Sequence, residues 1–477
     1  MPINDSLTQP FDCAVIGAGI TGIACAYYLK KAAPHFSVAL VDFNQPMSFT
    51  SAQSGENYRN WWPHPVMTGF MNTSIDLMEE IARETGNHFN MTRRGYVLIS
   101  RSDDIDDIVK STLPNHEITE TQIRVHQSGS SATYLPPRER YWKTVPEGVD
   151  IIQDKTLIRE HFGTYDPDIR TIIHIGRAGD INSQQLAQYM LETFRNSGGQ
   201  RFQGRVTGLD KTGDFVLDLE NHSTTRPCPT QIVSARVINA AGPFLNDIAE
   251  MLGEKFPVEN YLQQKITFSD KDSVVPRTSP FSIDLDPQIL DWTDEERELL
   301  SEDPSLAWVC TELPSAVHCK AEGGTNGNWI KLGWALNRES SEPTLEPALS
   351  DTYPEIVLRG AARLFPGLKT YYGALPGGHI HYGGYYTMTE ENWPLIGPMN
   401  SSINANDARN DSPNNGGFVA GAMSGFGTMA AAASGWLISQ WVLDLELPPW
   451  APALSPARYD DAGLMAKLRT LSDRGVL

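Results

Sequence analysis

The stretch Asp12-Cys13-Ala14-Val15-Ile16-Gly17-Ala18-Gly19-Ile20-Thr21-Gly22 and, beyond the helical pattern that follows it, Val38-Ala39-Leu40-Val41-Asp42 decide the fold. An apolar run of strand length feeds a glycine turn, a helix opens, and a second apolar run ends on a carboxylate 20 residues after Gly22. Gly17 supplies the tight backbone geometry, Gly19 lets the main chain approach a pyrophosphate, and Gly22 lets the new helix lie on the strand. The helix start at Ile20 and Thr21 turns unpaired N–H groups and partial positive charge toward the phosphates. Asp42, followed by Phe43, stands where a carboxylate accepts hydrogen bonds from an adenosine ribose. The pattern predicts a dinucleotide-binding unit.

Around this unit the chain runs to 477 residues, long enough for two domains. Acidic residues outnumber basic ones by 58 to 38, a formal charge of -20 that disfavours nucleic acid or an anionic membrane as partner. An anionic substrate must then meet a local positive group. The five cysteines, at 13, 25, 228, 310 and 319, have no zinc spacing, so neither a metal site nor a disulfide framework is expected. Met1 to Pro10 is polar, and no run reaches about 18 apolar residues. Those features predict a cytoplasmic protein without a membrane span.

Further along, Thr50-Ser51-Ala52-Gln53-Ser54-Gly55 is a run of small hydroxyl residues suited to bending round a phosphate or ribityl chain. Apolar spacing predicts helices from Val66 to Thr85 and from Gln184 to Asn196, a short one from Trp292 to Leu300, and another around Thr352 to Leu364. Strands are predicted at Gly95 to Ile99, Arg205 to Leu209, Arg236 to Ala240, Trp329 to Trp334 and Phe418 to Ala420. The acidic segment Ser269 to Pro304 reads as an insertion or lid, and Asn400 to Asn415 as an exposed, mobile loop. A small-residue helix is expected after Ser424-Gly425-Phe426-Gly427-Thr428, running to about Leu443.

With these segments in order, the chain resembles the D-amino acid oxidase superfamily of FAD enzymes, which includes glycine oxidase, monomeric sarcosine oxidase and several flavin dehydrogenases. The resemblance rests on the N-terminal glycine turn with Asp42, Thr50-Ser51 with Ser54-Gly55, and Val206 in Arg205-Val206-Thr207. It continues through Asn239-Ala240-Ala241-Gly242-Pro243, Thr387 to Gly397, and Ser424-Gly425-Phe426-Gly427. It implies an α/β fold: a discontinuous Rossmann-type FAD-binding domain (10–100, 160–255, 366–450) with a second, antiparallel-sheet α+β substrate domain (101–159, 256–365) and a C-terminal tail, 451–477. The isoalloxazine ring is then expected between the domains. There the glycine-rich helix start at Ser424 to Thr428 would offer N–H donors and a positive dipole end to charge developing near flavin N1.

The resemblance also implies substrate-side roles. Lys331, in Trp329-Ile330-Lys331-Leu332-Gly333-Trp334, matches a lysine that binds the substrate carboxylate in sarcosine oxidase-like members, and alternation sets it opposite Ile330, Leu332 and Trp334. Arg59 is a second candidate anion clamp, from the loop over the flavin. Lys265 falls where fructosyl amino acid oxidase-like members carry a lysine near flavin N5, a fixed cation able to stabilise superoxide-like charge. Trp61, Trp62, His379, His381, Tyr385 and Tyr386 are candidate pocket walls. Relatives attach flavin to a cysteine just before the threonine-rich segment, whereas Gly383-Gly384-Tyr385-Tyr386-Thr387 contains none, so FAD is expected to be held without a covalent bond.

The implied activity is oxidation of the C–N bond of an amino acid or secondary amine, with a hydride passing to flavin N5, an imine as product, and oxygen or another acceptor closing the cycle. Two alternatives stay open. One is a 2-hydroxy acid dehydrogenase with His379 or His381 as base, the other a flavin-binding assembly protein without turnover.

Overall fold

The computed structural model describes residues 9–104, 123–130, 133–137, 147–221, 228–324, 326–399 and 416–470. The predicted loop from Asn400 to Asn415 lies outside the described residues. Cys13–Ile16 and Val38–Asp42 pair in parallel at the centre of a six-stranded sheet, flanked by Val237–Asn239 and Gly417–Gly421 on one side and Gln200–Gln203 on the other. Leu395–Pro398 closes one edge in the antiparallel sense. Both faces of this sheet are covered, which is why its central strands read as unbroken apolar runs rather than as alternation.

One face carries the helices Ile20–Ala32, Pro65–Thr85, Ser183–Asn196 and Gly427–Val442. The small-residue character of Gly427–Val442 has a packing cause: a Cβ on Gly435 would stand 2.4 Å from the Ala24 carbonyl, so the two helices touch backbone to backbone. Pro65–Thr85 begins where His64 Nδ1 accepts the Val66 N–H and stops at Gly86, with φ +64°. A three-stranded antiparallel sheet, Arg205–Thr212, Asp214–Glu220 and Gln231–Ser234, with helix Leu245–Met251, covers the other face.

The second large sheet has nine strands, in the order Ile380–Thr389, Val258–Ser269, Trp329–Trp334, His318–Glu322, Phe281–Asp284, Tyr96–Ser100, Thr171–Ile175, Val149–Ile152 and Ile123–His126. Tyr96–Ser100 and Thr171–Ile175 lie in segments expected to belong to the nucleotide-binding unit, yet they pair here. One face packs Ile266, Phe268, Leu332 and Trp334 against helix Tyr353–Ala362. The opposite face is apolar at one end (Leu98, Ile173, Phe281, Ile283) and charged at the other (Lys265, Lys331, Lys320, Glu322).

The acidic segment does not act as a lid over that charged end. Its helix, Asp294–Glu302, starts at a Thr293–Glu296 capping box and is held by Arg359 through Glu296, while Trp292 and Leu300 pack on the core of the far face. The helix therefore begins two residues later than apolar spacing alone predicts. No helix among the described residues is long and apolar enough to cross a membrane.

Candidate active site

The glycine turn has the geometry its sequence requires. Gly17 adopts φ +106°, and a Cβ there would stand 2.3 Å from the Ala240 carbonyl oxygen. A Cβ on Gly22 would lie 1.9 Å from the Gly17 oxygen, so helix and turn are in direct backbone contact. Asp42 closes the second strand with Oδ2 accepting from Ala18 N–H (2.6 Å) and Oδ1 from Asn44 N–H (2.8 Å). Burial pushes its carboxyl above the usual range, against the pull of those two donors and of Arg201. Each oxygen keeps a further lone pair for a ribose hydroxyl. Ser51 Oγ accepts the Ile20 N–H at 3.0 Å, which brings the hydroxyl-rich segment onto the helix start. Phe43 is packed between Phe244 and the Arg205 guanidinium, and Val206 is buried in the adjoining core, one strand from the turn.

From this turn a cleft runs to the second sheet, walled by Gly19, Ile20, Thr21, Ser51, Ser54 and Gly55, then by Ala240, Gly242, Lys265, Tyr386, Ser424, Gly425, Gly427 and Thr428. Ala241 connects Ala240 to Gly242 at the turn before helix Leu245–Met251, its N–H on Asn239 Oδ1. Two observations fit this space to FAD. Thr50 and Ser424 each bury a hydroxyl oxygen with no partner among the described residues, and both residues line the cleft. Helix Gly427–Val442 also begins at the cleft without a side-chain cap, leaving its first N–H groups to a ligand. Gly384 lines the cleft, and Ser54 Oγ bonds Thr428 Oγ1 at 2.6 Å across it.

At the second sheet Lys265 and Tyr386, which line the cleft, belong to a circuit of side chains in mutual contact. The Arg59 guanidinium lies 4.6 Å from the Trp62 ring and 5.1 Å from that of Tyr96. Tyr96 meets Phe281 at 4.6 Å between centroids, and Phe281 meets His318 at 5.1 Å. The His318 imidazole covers Gly333, the register partner of both His318 and Lys265. Lys265 Nζ is 5.4 Å from the centre of Tyr386, whose ring fills the space over Gly425. Trp62 against Phe426, at 5.0 Å, completes the circuit. Trp61 is buried behind it, in the apolar core beneath Tyr96.

Charge within the ring is unbalanced. Arg59 is only 3% exposed, its Nε has no partner, and no carboxylate pairs with it among the described residues. Burial pulls its pKa down, with Tyr96 opposing. Lys265, buried beside the cleft, likewise has no ion pair or hydrogen bond among the described residues. A buried cation costs several kcal/mol unless an anion meets it, so both side chains are placed for a negatively charged group.

Lys331 is used differently from the expectation. Its ammonium is held by the Ser54 carbonyl (3.0 Å) and Glu322 (2.8 Å), so it does not present a free charge to a substrate carboxylate. Its cross-strand neighbour Lys320, which sequence reading missed, binds the Gly55 carbonyl at 3.0 Å and shares Glu322. Together the two lysines strap the sheet to the loop that leads into Arg59. The expected histidine walls are also corrected. His379 is exposed, and His381 lies on the far face of the sheet, stacked on Tyr353 and bonded to Gln264, because alternation sets it opposite to Lys265 and Tyr386. Tyr385 has the same parity as His381 and its hydroxyl binds Thr344 N–H, yet the residue also lines the cleft beside Tyr386. His318, Tyr96 and Phe281 were not anticipated.

Comparison with known proteins shows the family. The family model described as "DAO: FAD dependent oxidoreductase" matches residues 12–441, and the chain belongs to that family. It is an FAD-dependent oxidoreductase. Among solved structures, L-proline dehydrogenase from P. horikoshii superposes with a TM-score of 0.67 at 18% identity, over 95% of this chain and 99% of that one. Glycine oxidase from Geobacillus kaustophilus gives 0.66 at 15% identity, over 94% and 98%. Iminodiacetate oxidase from Chelativorans sp. BNC1 gives 0.62 at 17% identity, over 91% and 97%. No curated protein matches the chain.

Proposed function

We propose that this enzyme oxidises the C–N bond of a small amino acid or secondary amine that carries a carboxylate. The observation that carries the reading is Arg59, a buried guanidinium without an anion among the described residues, set against the Trp62 and Tyr96 rings. A guanidinium binds a carboxylate in bidentate fashion, and the rings hold its plane fixed. FAD, when bound, supplies an acceptor for the hydride leaving the carbon next to nitrogen. The chain then has to orient that carbon and exclude water, which the ring from Arg59 to Tyr386 does by enclosure. Lys265 sets a fixed positive charge at the cleft, where oxygen gains its first electron, and this supports oxygen as acceptor. The absence of a cysteine at Gly384 supports non-covalent FAD, and acid precipitation is expected to leave the yellow colour in the supernatant.

Anaerobic mixing with a panel of amino acids, N-methyl amino acids and 2-hydroxy acids tests the reading. Flavin bleaching by the amines is the expected result. Bleaching by hydroxy acids alone would reassign the enzyme as a 2-hydroxy acid dehydrogenase, a reading that loses support because His379 and His381 lie away from the cleft.

A further inference from the structure

His318 is tied at one ring nitrogen and open at the other. Nδ1 lies 3.2 Å from the Ala316 carbonyl oxygen, which can only accept, so Nδ1 carries the hydrogen and Nε2 carries the lone pair. Nε2 has no hydrogen-bond partner among the described residues and rests over Gly333, where an added Cβ would stand 2.3 Å away. The missing side chain at 333 thus makes the room in which this nitrogen reaches toward Lys265. Burial, reinforced by the Lys265 and Lys331 ammoniums, pulls the imidazole pKa down to about 3, so the ring is neutral at working pH.

We propose that His318 is a substrate-binding residue whose Nε2 accepts a hydrogen bond from an N–H of the substrate nitrogen while Arg59 holds the carboxylate; this rests on the amine reading above. The surrounding charges favour that pairing. Arg59 and Lys265, neither paired with a carboxylate among the described residues, make the ring positive, which disfavours an ammonium and favours the neutral amine, the form whose nitrogen lone pair assists loss of hydride. A neutral amine held through one N–H by Nε2 keeps its lone pair free. Gly333, which sequence reading associated with Lys331, acquires its own purpose as the space for the imidazole.

The test compares two unreactive probes on the FAD-loaded enzyme, 2-aminoisobutyrate and isobutyrate, which differ by the amino group and offer no α-hydrogen beside nitrogen. Binding is followed by flavin absorbance. Wild type should hold 2-aminoisobutyrate about tenfold more tightly, the scale of one well-placed hydrogen bond. His318→Phe should abolish that preference with isobutyrate affinity unchanged, His318→Gln should restore part of it, and Gly333→Ala, which displaces the imidazole, should behave like His318→Phe. A His318→Phe enzyme with the wild-type preference overturns the inference. So does a wild type without any preference. If amines still bleach the wild-type flavin in either case, the amine reading stands alone, whereas a flavin that no amine bleaches overturns both.

Discussion

At its nucleotide end the cleft is shaped by backbone and by side chains that are missing, whereas at its substrate end it is shaped by long charged and aromatic side chains projecting from a sheet. A wall made of backbone has nothing to rotate away, so an added methyl group meets a carbonyl that cannot yield. A wall made of side chains can lose one member and keep its frame. The first end should therefore fail all at once and the second by degrees.

Gly22→Ala is the harshest way to break the contrast. Its Cβ would meet the Gly17 oxygen at 1.9 Å, and the expected cost is roughly 3 kcal/mol or more, seen as lost FAD content and a lowered Tm. A variant that loads FAD at the wild-type ratio and melts normally would show that the turn has slack. Arg59→Leu should behave in the opposite sense. Affinity for a carboxylate substrate is expected to fall about 100-fold, the scale of a desolvated charge pair, yet Tm should hold or rise because a buried, unpaired cation is removed. A sharp drop in Tm would mean that Arg59 is structural.

Lys265→Met separates the two half-reactions. Reoxidation of reduced flavin by oxygen should slow by about tenfold or more, with anaerobic reduction nearly unchanged, as stopped-flow spectroscopy can show. Equal slowing of both would point to a substrate contact instead. Lys331→Met, the mildest change, loosens one of two straps. It should cost about 1–2 kcal/mol and weaken carboxylate and uncharged substrates alike. Its pH dependence is fixed by Glu322, whose burial raises the carboxyl pKa but whose neighbours Lys320 and Lys331 more than offset that, leaving it below the usual range. A depressed carboxylate stabilises the fold above its unfolded value of about 4.3 and loses that contribution as pH falls through the folded value, so the gap in Tm between wild type and variant should narrow progressively as pH falls below the unfolded value. A gap that widens in acid would contradict the pairing.

The glycines and Asp42 were legible because the structure they specify is local: one strand, one turn and one helix within a few tens of residues. Ser54, Ser424 and Thr428 were legible through their order along the chain. The substrate ring was not, since Tyr96 touches Phe281 across a pairing of strands far apart in sequence, and no local pattern sets that register. Alternation at Lys331 correctly separated it from Ile330 and Leu332, but it left open what the opposite face meets. The same alternation in His318-Cys319-Lys320-Ala321-Glu322 was the available signal for the missed residues, and Lys320 becomes meaningful only once it pairs with Lys331. His379 and His381 show the reverse failure, in which chemistry suggested a role that the parity of the strand removes.

The loop from Ser54 to Glu56 has four claimants: Thr428 bonds the Ser54 hydroxyl, Lys331 and Lys320 hold the carbonyls of 54 and 55, and Ser183 binds the Glu56 carboxylate, while Glu56 itself sits in the left-handed region at φ +56°. A segment gripped by the nine-stranded sheet on one side and by two helices of the six-stranded sheet's cover on the other couples what happens on either side. If loading the nucleotide end stiffens this loop, it presets Arg59 three residues later, and by reciprocity a carboxylate seated on Arg59 must tighten the hold on FAD by the same factor.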